Sequence, residues 1–239
     1  METSGTLVFL TIACYLPLMA EAHGRLILPP SRSSMWRFGF STPINYMDHQ
    51  LWCGGYWNQW GINRGKCGIC GDPYQQNPRE NEAGGKYATG IISKCYQYQP
   101  SGQNMDIQVE LTANHLGYFE FRLCEHNDTS TAITQACLDK NLLRFPDNST
   151  RHYVRGSVYG VINLHLQIPP SVSCTQCVLQ WKYNTGNSWG CDRSGCGMGR
   201  GGQEQFYGCA DIAILKSCDH FTGLDQHSLL PSIFIGIPF

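Results

Sequence analysis

Two histidines define the chemistry this sequence could carry. Ala20-Glu21-Ala22 has the A-x-A form of a signal-peptidase site, and His23 follows it directly. Cleavage after Ala22 makes His23 the first residue of the mature chain. Its α-amine, with a pKa of roughly 8, is readily deprotonated for a metal near neutral pH. Amine nitrogen and imidazole Nδ1 then close a six-membered chelate ring, so one residue supplies two nitrogen ligands. A planar set of nitrogens suits Cu(II) best among the divalent first-row metals. A third nitrogen is needed, and His115, at the tip of an expected hairpin, can supply it. His49 lies in an early loop. That loop can lie near the same face, whereas His126, His152, His165 and His220 lack a motif match; the default reading of all five is a surface or locally hydrogen-bonded residue.

The rest of the N-terminus agrees with export. Leu7 to Ala20 is mostly apolar, but about 14 residues fall short of the ~20 a spanning helix needs, although a basic n-region is missing. The expected organisation is a leader over 1–22, one domain over 23–218 and a tail over 219–239, in a secreted, extracellular protein. The chain has thirteen cysteines, and losing Cys14 with the leader leaves an even number. In an exported chain these read as disulfides, with a connectivity that spacing does not reveal. Cys67-x-x-Cys70 and Cys174-x-x-Cys177 are too far apart for the usual zinc spacing. Asn127-Asp-Thr and Asn148-Ser-Thr are glycosylation sequons.

The elements that must position the histidines are strands. Ile107, Val109, Leu111, Ala113 and His115 alternate with polar residues, then Asn114-His-Leu-Gly117 reads as a turn and Phe119, Phe121 and Leu123 alternate again. This predicts a hairpin. Val161 to Ile168 alternates too, Cys177 to Tyr183 reads as a strand, and the nearly continuous apolar run Phe206 to Leu215 as a core strand. Residues 23–105 read as loops with short helices. Residues 183–205 read as a Gly-rich loop tied by Cys191 and Cys196, without the Gly-Lys-Ser/Thr of a phosphate-binding loop. The run Leu229 to Phe239 is apolar but too short for a span. Strands punctuated by Gly and Pro, with no long helical period, predict an all-β antiparallel sandwich.

Formal net charge is −1 and charged residues make up 15% of the chain. That leaves no basic face for nucleic acid and suits an uncharged polymer as partner. Trp36, Tyr46, Trp52, Tyr56, Trp57 and Trp60 cluster in the early loops, where they either stack on sugar rings or form a small core beneath the loop.

Three segments resemble one family. His23-Gly-Arg-Leu-Ile-Leu-Pro-Pro-Ser-Arg32 is similar to the mature start of lytic polysaccharide monooxygenases. Leu111-Thr-Ala-Asn-His115 resembles their second copper-histidine segment, with Ala113 as the small residue beside the metal. Gln205-Phe-Tyr-Gly-Cys-Ala-Asp211 resembles their late strand with an axial aromatic. The cysteine-rich layout looks most like the animal, insect-type class. The resemblance implies an immunoglobulin-like (fibronectin III-like) sandwich carrying one copper in a histidine brace of His23 and His115. It also implies oxidative cleavage of chitin, or in some members cellulose, with an external electron donor and O2 or H2O2. For the axial position, parity favours Phe206, which shares a face with Ala210, Ile212 and Ile214; Tyr207 on the other face is the alternative. A monomer with no membrane span is expected. The competing readings are a non-catalytic secreted chitin- or carbohydrate-binding protein and a disulfide-rich signalling or inhibitor domain. Neither needs an N-terminal histidine.

Overall fold

The computed structural model describes residues 23–100, 102–219 and 221. The expected leader, His220 and the tail from residue 222 onward lie outside the described residues. Among the described residues, ten strands form two packed sheets and a small hairpin. The three-stranded sheet has the order β1-β3-β6, with β1 His23–Leu28, β3 Gln103–Ala113 and β6 Gly160–Ile168. The five-stranded sheet has the order β2-β10-β7-β4-β5, with β2 Lys94–Gln97, β4 Tyr118–Glu125, β5 His152–Tyr153, β7 Cys174–Asn184 and β10 Gln205–Leu215. A single helical turn, α1 Gln135–Leu138, follows β4. The all-β sandwich expected from the sequence is the fold observed. Its one departure from an antiparallel pattern is the parallel pairing of β2 with β10.

Alternating apolar residues build the core from both sheets. Met105, Ile107, Val109 and Leu111 of β3 face Phe119, Phe121 and Leu123 of β4, with Trp181 and Tyr183 of β7 and Phe206, Ala210, Ile212 and Ile214 of β10 completing the layer. This packing corrects the expected hairpin. β3 pairs with β1 and β6, while β4 pairs with β7 and β5, so the turn around His115 crosses between the two sheets. Both segments alternate with period two, and that period is satisfied equally by strands meeting face to face across a core. A crossover rather than an edge-to-edge turn buries both apolar faces at once.

Two other segments differ from the sequence reading. Residues 23–28, expected to be irregular, form edge strand β1. Within 183–205, β8 Trp189–Asp192 and β9 Gly195–Met198 make a hairpin bridged by Cys191–Cys196. The other disulfides are Cys53–Cys67, Cys70–Cys209, Cys95–Cys218, Cys124–Cys137 and Cys174–Cys177. Cys67 and Cys70, neighbours in sequence, thus serve different bridges. Cys70–Cys209 ties the early loops to strand β10 over a separation of 139 residues. Among the described residues, no helix is long and apolar enough to cross a membrane.

Candidate metal centre

Strand β1 delivers His23 to one end of the sandwich, and its motif explains how. Gly24 lies against the core because a Cβ there would meet Leu111 and Trp181. Arg25 donates to Glu110 (2.8 Å) and Asp48 (2.8 Å), and Leu26 is fully buried. Arg32 makes paired 2.7 Å hydrogen bonds to both oxygens of buried Asp211, and its backbone N–H donates to the Cys209 carbonyl. A forked guanidinium on a carboxylate fixes orientation as well as distance. The N-terminal segment is thereby clamped to the late strand β10.

His23 pairs with Ala113, and the register then jumps so that Gly24 pairs with Leu111. Thr112 is the extra residue of this bulge, a device that re-aims the end of a strand. Its hydroxyl donates to the His23 carbonyl at 3.4 Å. His115 follows Ala113 by two residues, where β3 ends at the same edge of the sheet. The crossing turn is tight. Leu116 and Gly117 have φ of 58° and 86°, and a Cβ on Gly117 would collide with the Asn184 carbonyl oxygen. His115 is anchored by its backbone, donating from N–H to the Tyr183 hydroxyl (3.0 Å) and accepting from the Gly186 N–H (2.8 Å). Its Nδ1 lies 2.8 Å from the Asn187 side-chain nitrogen and 3.5 Å from a Glu204 carboxylate oxygen.

Phe206 is fully buried, stacked on Trp52 (ring centroids 6.2 Å) and tilted against Tyr183 (6.0 Å), the residue whose hydroxyl holds His115. Burial pushes the Tyr183 phenol well above its usual range. Tyr207 points to the opposite face, where its hydroxyl donates to Gln205 (2.8 Å) and the Lys182 ammonium lies over its ring. The parity argument therefore holds for the facing of both aromatics.

The early aromatic cluster divides. Trp52 is half-buried against the core, and Trp60 donates to the Gln203 carbonyl (2.9 Å). Tyr46 and Trp57 are each 72% exposed. Sequence reasoning set aside His49, yet its ring meets that of His23 edge-on at 4.7 Å and its carbonyl accepts the Gly24 N–H at 2.9 Å. Burial, then the neighbouring His23 and Arg25, holds the His49 imidazole below its usual pKa. Asn187 and Glu204 also escaped notice. No local spacing marks Asn187, whereas Glu204 sits two residues before Phe206 and is suggested only by that parity. Among the described residues, no three His, Cys, Asp or Glu side chains converge in a group able to hold a metal ion.

This architecture defines a class. The family model described as "Lytic polysaccharide mono-oxygenase, cellulose-degrading" matches residues 23–212. The solved "Lytic Polysaccharide Monooxygenase AA15 from Thermobia domestica in the Cu(I) State" is 47% identical, with a TM-score of 0.78 over 82% of this chain and 100% of that one. The chain therefore belongs to the lytic polysaccharide monooxygenases, in their animal AA15 class, and is a copper-dependent enzyme. LPMO10B from Micromonospora aurantiaca aligns at 14% identity and a TM-score of 0.39, over 80% of this chain and 99% of that one. No curated protein matches the chain.

Proposed function

We propose that the mature enzyme begins at His23, and that its α-amine and imidazole, together with the His115 imidazole, hold the catalytic copper. The observation that carries this reading is the pairing of His23 with Ala113 beside the anchored His115. The donor set fits the metal. Two imidazoles and a terminal amine make three nitrogens, a set that Cu(II) favours among the divalent first-row metals. Phe206 would close the inner side of the copper site, and the small Ala113 would leave room beside the metal. When bound, copper would supply the redox chemistry by which O2 or H2O2, with electrons from an external donor, hydroxylates a C–H bond next to a glycosidic linkage.

The chain's own residues fix and dry the site. Tyr183 and Gly186 hold the His115 backbone, Arg25 and Arg32 fix the strand bearing His23, and the apolar Phe206 ring closes the inner side to water. The substrate is an insoluble, uncharged polysaccharide, chitin or cellulose. Aromatic rings suit its sugar faces. Trp189, two residues beyond Asn187 and 68% exposed, joins Tyr46 and Trp57 as the candidate contacts. We further read 1–22 as a leader, 23–218 as the catalytic domain, 219–239 as a tail, and the protein as a secreted monomer. The six disulfides support export, and both sequon residues, Asn127 and Asn148, are exposed.

The test is copper calorimetry on protein with a native His23 terminus, beside mass spectrometry of products released from chitin and cellulose. His115→Ala should lower Cu(II) affinity by orders of magnitude and abolish oxidised products while the protein stays folded. Unchanged affinity would assign the second imidazole to another residue.

A further inference from the structure

One short segment grips His115 at three polar atoms: Tyr183 and Gly186 take the backbone, and Asn187 takes ring Nδ1. The Glu204 oxygen at 3.5 Å from the same Nδ1 is beyond ordinary hydrogen-bond length. With Nδ1 committed to Asn187, metal ligation by this ring falls to Nε2.

That assignment carries a condition on the proton. In a neutral imidazole one nitrogen bears the hydrogen and the other offers a lone pair. Asn187 donating its N–H into Nδ1 places the imidazole hydrogen on Nε2, where it blocks ligation. For Nε2 to ligate, Nδ1 must carry the hydrogen and find an acceptor. Metal-bound histidines in general donate their second N–H to such a partner. A carboxamide can serve both states from one place, because a half-turn about its Cβ–Cγ bond exchanges the NH2 for the carbonyl oxygen.

We propose that Asn187 is a positioning residue for His115, donating to Nδ1 in the metal-free protein and accepting from Nδ1–H when Nε2 is on copper. The proposal rests on His115 being a copper ligand. The loop is built to hold this side chain still. Ser188 N–H donates to the Gln203 side-chain oxygen (3.0 Å), and the Gln203 side-chain NH2 donates to the carbonyls of Ser188 (3.0 Å) and Arg200 (2.6 Å), with the Gly202 carbonyl also 3.0 Å away. Gln203 is itself buried, and Thr185 N–H donates to the Glu204 carbonyl (3.0 Å). The backbone is therefore fixed on both sides of Asn187, while the Asn187 side chain lies at the surface, where substitution leaves the core alone.

Chemistry separates the variants. Asp at this position can only accept and so favours the ligating tautomer, whereas Leu, of similar shape, does neither. In protein with a native His23 terminus, Asn187→Leu should lower Cu(II) affinity about 10–100-fold and change the copper electron paramagnetic resonance spectrum. Asn187→Asp should retain wild-type affinity, and 15N resonances of the metal-free variant should show His115 moved to its Nδ1–H form. A structural role alone would not invert the two variants in this way. Wild-type affinity and spectrum in Asn187→Leu, or an Asp variant as weak as Leu, would overturn the proposal. So would a loss confined to Glu204→Gln, which would make the carboxylate the acceptor. Wild-type affinity in His115→Ala would instead overturn the ligand assignment beneath it.

Discussion

Phe206 and Tyr207 are adjacent residues with opposite fates, because successive side chains of a strand point to opposite faces. Phe206 is enclosed by Trp52 and Tyr183 behind His115, whereas the Tyr207 hydroxyl is spent on Gln205. Phe206→Tyr adds an oxygen on the site side and should perturb the copper electron paramagnetic resonance spectrum. Overpacking should cost about 1–3 kcal/mol in denaturant unfolding. Tyr207→Phe should leave the spectrum as it is and cost about 1 kcal/mol, the worth of a buried hydrogen bond. A spectrum indifferent to Phe206→Tyr would remove that ring from the metal's surroundings. At this scale the sequence was readable where strand parity spoke for a residue, as in the facing of Phe206 and Tyr207. It placed the His49 loop only loosely near the face and was silent for Asn187; their partners His23 and His115 are 26 and 72 residues away and reached only through loop packing.

The elements that matter most are the two strand ends and the turn between the sheets. The turn at 114–117 is short because Gly117 can adopt φ of 86° while its Cα lies against the end of β7. Gly117→Ala should therefore cost more than the ~1–2 kcal/mol of a left-handed residue, since the added methyl also strikes backbone. It should weaken copper binding as well, because His115 is bonded to the same end of β7. Urea unfolding and calorimetry on one preparation would show both effects, and normal copper affinity in a destabilised variant would uncouple turn from site. The strands themselves were legible, β3 and β6 through period two and β10 through its nearly continuous apolar run. Their partnership was not, since alternation is identical for strands paired edge to edge and strands packed face to face. Edge strand β1 was hidden among prolines and glycines, and disulfide connectivity follows contacts that spacing does not encode.

At the scale of the whole molecule, charge, cross-linking and processing act together. On the outer face of the five-stranded sheet, burial pushes the Glu120 carboxyl up. Hydrogen bonds from Arg151 (2.9 Å) and the charge of Arg122 outweigh that and hold it below its usual range. A depressed carboxyl stabilises the fold at pH above its unfolded value and loses that contribution as pH falls towards its folded one. Glu120→Gln should thus lower the urea midpoint at neutral pH and flatten its decline in acid; parallel pH profiles would sink the assignment. Processing makes the stronger prediction, because the proposed copper site does not exist until the bond after Ala22 is cut. One extra glycine ahead of His23 turns the amine into an amide, which lacks the basic lone pair a chelate needs. β1 pairing from Gly24 onward, the Arg32–Asp211 clamp and the six disulfides are untouched by that residue. The extended protein should therefore melt like the native one without metal. Copper at a hundred times Kd stabilises a protein by about 2.7 kcal/mol, so the native form should show a clear rise in melting temperature on adding Cu(II) and the extended form almost none. An equal rise in both would mean that the amine is not a ligand.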